Sequence, residues 1–193
     1  MNVLPGYEEY KMKYSYEKII KSIATLHTRK FGDVCEIIMK KLIPKFTKSE
    51  NLSYDKKLLN EKIEIKFSRA VSKSKPVTES NVCKVLLEDN SLELISYETD
   101  LYKKKWDCNI QQIKPECFDI LYYGVCFEEN IYIFKITSKQ IIEDIHIRFS
   151  GKQHRGNEGE GQFHIKNTNI DYHIKTYLYQ KISYKYFWEL LNE

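Results

Sequence analysis

Long apolar runs are missing from this chain of 193 residues. No stretch approaches the roughly 18 to 20 residues that a membrane span requires, and the leading MNVLPGYEEYKMKY lacks the apolar centre of a signal peptide. A soluble, cytoplasmic protein with no membrane partner is therefore expected. Cysteine is scarce and scattered: Cys35, Cys83, Cys108, Cys117 and Cys126 are odd in number and form no CxxC pair. That excludes a disulfide framework or zinc knuckle as the organising device and leaves reduced, mostly buried thiols. An excess of one charge is lacking too, since 31 Lys and Arg nearly balance 27 Asp and Glu, for a net +4. Such a balance permits an anionic partner without demanding one, because local clustering matters more than the sum. There is no internal repeat and no low-complexity tract.

What is present is enough apolar material, 42% of the chain, to bury a core in one domain spanning residues 1–193. From Tyr16 to Ile43, apolar residues recur at spacings of three and four, which predicts two amphipathic helices over 16–43. The break is expected near Phe31 and Gly32, with Asp33 in the first turn of the second helix and Pro44 as the stop. In NEKIEIKFSRA, Ile63, Ile65 and Phe67 alternate with Lys62, Glu64, Lys66 and Ser68, so the segment reads as a β-strand with Glu64 and Lys66 on one face. Leu58 and Leu59 lead into it, giving a hairpin across residues 55–60. FDILYYGVCFEENIYIFKI reads as two strands around a Glu-Glu-Asn turn. SKQIIEDIHIRFS reads as a short helix or a strand. GKQHRGNEGEGQFHI holds four of the seven glycines and is expected to form no regular element. The closing YKYFWELL reads as a helix docking its aromatic face on the core or on a second subunit. Helices, hairpins and a final helix imply an α/β (α+β) fold with a central mixed sheet flanked by helices.

The charges on the Glu-x-Lys strand raise the chemical question. Two carboxylates converging from adjacent strands supply the hard oxygen ligands that Mg²⁺ prefers, while the ion keeps waters and a substrate phosphate oxygen. Water on such an ion has a lowered pKa, and the ion offsets charge developing at phosphorus. Lys66, on the same face as Glu64, is placed to orient or deprotonate that water. Asp55, Glu64 and Lys66 then form one candidate constellation. The plain alternative is a solvated face on which Glu61 and Lys62 serve as ion-pair partners.

These residues carry a resemblance. YDKKLLNEKIEIKFSR resembles the D-x(n)-(D/E)-x-K core of the PD-(D/E)XK nuclease superfamily, which holds most type II restriction endonucleases. Asp55 matches the first acid, Glu64 the second and Lys66 the lysine, while Tyr54 stands where the name-giving proline would be. Glu36, on the preceding helix, matches an acidic residue many members carry there. QQIKPECFDILYYGVCFEENIYIFKI followed by the glycine-rich stretch is similar to the C-terminal halves of small type II restriction enzymes from AT-rich bacteria. The resemblance implies a restriction-endonuclease-like fold with a catalytic core over residues 50–136 and a DNA-recognition part over 150–193. It implies Mg²⁺ at Asp55 and Glu64, Lys66 and Glu36 as further catalytic residues, double-stranded DNA as substrate, a homodimer on a two-fold DNA site, and no nucleotide cofactor. Gln112 and Lys114, with Asp119 nearby, form a rival catalytic strand, since some members of the superfamily place Gln at the second acid. Asp119 otherwise reads as a structural carboxylate.

Two further stretches carry DNA-binding chemistry. Lys152, Gln153, His154, Arg155, Asn157, Gln162 and His164 interleave with glycines; Arg and Lys pair with guanine, Gln and Asn with adenine, and glycine lets backbone approach a groove. Ser68, Arg69 and Lys73 follow the Glu-x-Lys strand and are candidates to hold phosphates near the scissile bond. Against these stand an ordinary mobile surface loop and a solvated linker. A junction-resolvase-like nuclease of the same fold and a non-catalytic DNA-binding protein are the competing functions.

Overall fold

A computed structural model of the chain describes residues 16–72, 78–80, 82–83, 93–152 and 158–190. These residues form a mixed α/β fold. The elements are α1 (Tyr16–Thr25), α2 (Thr28–Leu42), β1 (Thr47–Lys48), β2 (Lys56–Leu58), β3 (Glu61–Arg69), β4 (Val71–Ser72), β5 (Trp106–Ile113), β6 (Ile120–Cys126), β7 (Asn130–Thr137), α3 (Ser138–Glu143), β8 (Ser150–Lys152), β9 (Glu158–Ile165), α4 (Ile170–Tyr177), β10 (Leu178–Ser183) and α5 (Tyr184–Leu190). A six-stranded sheet runs β1-β2-β3-β6-β7-β10 and a four-stranded one β4-β5-β9-β8. In the first sheet β3 pairs with β6 in parallel and all other neighbours are antiparallel. Among the described residues, no helix is long and apolar enough to cross a membrane.

The first sheet is covered on both faces, which explains why β6, ILYYGVC, is buried at every position. On one face, Phe31, Cys35, Ile38 and Met39 of α2, at helical spacing, pack on Ile63 and Ile65 of β3, Ile120 and Tyr122 of β6, and Tyr184 and Phe187 of α5. The closing aromatic helix thus docks on its own core. On the other face, Leu121, Tyr123, Phe134 and Ile136 meet Cys108, Ile110, Phe163 and Ile165 of the second sheet and Ile170 of α4. SKQIIE resolves as the helix α3, opened by a capping box between Thr137 and Gln140.

Two sequence expectations are corrected. The helix break falls at Leu26 and His27, not at Phe31 and Gly32, which lie inside α2. Arg69 explains the displacement: its Nε donates to the Ile23 carbonyl at 3.0 Å and its Nη2 to the Leu26 carbonyl at 2.6 Å, satisfying the free end of α1. The glycine-rich stretch is not irregular on either side of residues 153–157, since β8 and β9 are paired strands. Gly161 is there for closeness of packing, since a Cβ on it would meet the Phe149 ring at 2.1 Å.

One buried titratable group makes the fold sensitive to acid. The His173 ring is fully buried, with Nδ1 2.8 Å from the Tyr123 hydroxyl, and burial lowers its pKa to about 4. The unfolded chain takes up this proton below the ordinary imidazole value while the folded chain refuses it, so stability is lost as pH falls from about 6.5 toward 4. The loss through this ring amounts to roughly 3 kcal/mol. Urea denaturation at pH 7 and pH 4.5 checks this: His173→Gln is expected to show a smaller acid loss than the unmodified chain, and equal losses would assign the sensitivity elsewhere.

Candidate metal centre at the β2–β3 hairpin

Strand β3 must present apolar residues to α2, and it does so with Ile63 and Ile65. Period-two alternation then sends Glu64 and Lys66 to the opposite face, where their register partners on β6 are Leu121 and Tyr123. Glu64 is 8% exposed, an unusual place for a carboxylate without a partner. It has one: the Lys66 ammonium contacts Glu64 Oε1 and lies 3.9 Å from Asp55 Oδ2.

The position of Asp55 follows from hairpin geometry. Leu58 pairs with Glu61 across the turn Leu59-Asn60, and Lys56 pairs with Ile63, so the next step outward sets Asp55 opposite Glu64. The short nine-residue step between these acids in sequence is what a two-residue hairpin turn requires. Leu59 takes the left-handed conformation the turn demands, with φ 55°. The Asp55 amide donates to the Ile63 carbonyl at 3.0 Å, and its Oδ2 accepts from the Ile65 amide at 2.8 Å, fixing the carboxylate beside Glu64 and Lys66.

A cavity of about 520 Å³ opens at this point, and Asp55, Glu64, Lys66, Gln112, Lys114 and Glu160 line it. A second, of about 590 Å³, adjoins it through Lys66 and Gln112 and reaches the start of α2, including Glu36. Burial, opposed by Lys66 and reinforced by Asp55, raises the Glu64 carboxyl to about 7. Burial alone would depress Lys66, but Glu64, Asp55 and Glu36 outweigh it and hold the lysine charged above its usual range. Among the described residues, no group of three His, Cys, Asp or Glu side chains converges as a ready-made metal site. The two acids are nevertheless the kind of donor set Mg²⁺ uses, because that ion keeps several waters and takes only one or two protein carboxylates.

The other candidate residues are placed as follows. Glu36 faces this region from α2 but is held by Lys56 at 2.5 Å, one step away from the two acids. Asp119 does not join Gln112 and Lys114 as a rival set: its Oδ2 accepts from the Lys62 amide at 2.8 Å, and its own amide donates to the Lys62 carbonyl at 2.9 Å, so it is a structural carboxylate locking β3 onto β6. Gln112 and Lys114 instead form the wall facing Glu64. Arg69, a candidate to hold phosphate, lines the larger cavity and is also a structural tie, with its guanidinium 4.0 Å above the Phe31 ring as well as on the α1 carbonyls. Ser68 lines the larger cavity. Gln162, expected to read bases, is buried; it accepts from Asn109 Nδ2 at 2.9 Å and donates to the Lys152 carbonyl at 3.3 Å. His164, expected in the same role, is half-buried with Nδ1 2.9 Å from Asp107. Lys152 is exposed on β8. Lys73, Gln153, His154, Arg155 and Asn157 lie outside the described residues.

Sequence reasoning weighed Glu160 only as a base-reading carboxylate of the glycine-rich stretch and did not place it beside the two acids. It lines the same cavity as the two acids, 3.1 Å from Lys114. The signal lay in β9, where Glu160, Gln162 and His164 alternate with Gly161, Phe163 and Ile165, but the glycines concealed it. No family model matches the chain, and no curated protein or solved structure matches it.

The raised Glu64 value has a sign that can be tested without any assay of function. The metal-free folded chain keeps this proton to about pH 7, whereas the unfolded chain releases it near 4.5. Stability contributed by protonated Glu64 is therefore lost as pH rises through that window, by roughly 2 to 3 kcal/mol. In chelator, Glu64→Gln is expected to be more stable than the unmodified chain at pH 8 and equal to it at pH 4; a variant less stable at pH 8 would contradict the assignment. By contrast, Arg69→Ala is expected to cost about 2 to 3 kcal/mol in urea denaturation at any pH, through carbonyls left without donors.

Proposed function

We propose that the protein is a Mg²⁺-dependent endodeoxyribonuclease that hydrolyses double-stranded DNA at specific sequences, a type II restriction enzyme in character with a restriction-endonuclease-like fold. The observation that carries this reading is the convergence of Asp55, Glu64 and Lys66 from a hairpin and its strand onto one wall of a cleft. It is supported by the resemblance of YDKKLLNEKIEIKFSR to the core of the PD-(D/E)XK nucleases.

Asp55 and Glu64 would hold the ion, whose bound water is more acidic than bulk water and whose charge offsets that building on phosphorus. Lys66, kept protonated by the acids around it, would orient the attacking water and stabilise the transition state by its charge. Glu36, through Lys56, would add to the field of the site. The 5′-phosphate would remain on the released end. Two copies related by a two-fold axis would meet the two halves of a palindromic site.

Digestion of unmethylated phage DNA with Mg²⁺, followed by sequencing of the ends, tests the reading. Discrete fragments with common ends are expected, abolished by EDTA. Glu64→Ala and Lys66→Ala are each expected to lower cleavage at least ~100-fold while leaving DNA binding measurable, the scale of removing a group that stabilises developing charge. Selective cutting of branched over linear DNA would replace this reading with a junction-resolving nuclease. No cleavage by the unmodified chain would leave a DNA-binding protein at most.

A further inference from the structure

We propose that Gln111 and Gln112 are the substrate-contacting element opposite the acids, Gln111 reading an adenine edge and Gln112 positioning the neighbouring phosphate; this rests on the nuclease reading above.

Strand β5 shows why. Its inward residues Cys108 and Ile110 are buried, and simple alternation would send Gln112 into the core and Ile113 outward. A bulge prevents this. Gln111 pairs with Gln162 and Ile113 with Gly161, so Gln112 is left without a partner on β9, with φ 61°. Ile113 then fills the core position with no exposed surface, and both glutamines emerge on the cleft side. A bulge that served the backbone alone would take glycine, which enters this region without strain. A glutamine enters at a cost, and what it adds is an amide in the cleft.

The placement gives each amide a separate task. Gln112 lines the cavity of Asp55, Glu64 and Lys66 as well as the larger one, whereas Gln111 lines only the larger. Neither amide has a hydrogen bond to a described residue, and both are exposed. A glutamine amide offers a donor and an acceptor side by side, the pattern that matches adenine N7 and N6 in the major groove. Behind Gln111 the strand is stiffened by Asn109 donating to Gln162, and Gln162 to the Lys152 carbonyl. The element is therefore preorganised by its own sheet.

The test uses the full chain with Mg²⁺ on a random-sequence duplex library and sequences the cut ends. Gln111→Ala is expected to keep cutting but to lose discrimination between adenine and other bases at one position, by about tenfold or more. Gln112→Gly and Gln112→Asn, both tolerant of the left-handed backbone, are expected to cut the same sites with kcat lowered about 30-fold or more and KM little changed, the mark of an interaction made mainly in the transition state. The melting temperature of Gln112→Gly is expected to equal or exceed that of the unmodified chain, since strain is relieved. A fall in its melting temperature, or variants with unchanged rate and unchanged cut sites beside an active parent, would overturn the proposal alone. An unmodified chain that cuts no DNA would overturn it together with the nuclease reading.

Discussion

The contact between Glu64 and Lys66 is the constraint on which the rest of this structure turns. A carboxylate this buried is unfavourable, and a lysine two residues along the same strand is the nearest counter-charge that shares its face. The pair is possible because Ile63 and Ile65 bind the other face of β3 to the helical layer, leaving the charged face to look across the cleft. A slip of one residue would bury Lys66 against α2 and expose the isoleucines. Two devices guard against it. The two-residue turn fixes β2 to β3, and Asp119 grips both the amide and the carbonyl of Lys62, fixing β3 to β6. Asp55 then arrives opposite Glu64 as a consequence of register.

The second sheet supplies what the hairpin lacks. Its apolar face completes the larger core, and its polar face, with Asn109 and Gln111 on β5 and Glu160 and Gln162 on β9, looks away from that core. The cleft thus has an acidic and cationic wall from β3 and an amide-bearing wall from β5, with Lys114 and Glu160 paired beside them. Charge inside it is finely balanced. The Glu64 carboxyl is lifted by burial to about 7, and Lys66 is held charged by its neighbours. The divalent cation proposed at these acids would relieve the penalty on the carboxylate and so couple metal binding to stability.

Much of this was legible in the residues. Alternation over Ile63, Ile65 and Phe67 announced the strand, its faces and the Glu64–Lys66 pairing, and the Glu-Glu-Asn turn announced β6 and β7. The mixed sheet flanked by helices followed from the order of the elements. The misreadings share a physical origin, namely tertiary contacts that local patterns cannot carry. The α1–α2 break depends on Arg69, more than forty residues away, supplying donors to carbonyls at Ile23 and Leu26. The glycines of β9 looked like a loop because the purpose of Gly161, room for Phe149, lies on another segment. Gln112 was visible as a rival catalytic residue, but that it faces Glu64 from a second sheet depends on a bulge that alternation alone does not announce.

The central claim is that a divalent ion sits between Asp55 and Glu64. Crystals grown with Mn²⁺, a usual stand-in for Mg²⁺ at oxygen sites, test it most directly through anomalous diffraction. A peak within coordination distance of one oxygen from each of these carboxylates is the result this account predicts. Crystals with Mn²⁺ bound elsewhere, or with Glu64 still engaged solely by Lys66 at saturating metal, would contradict it.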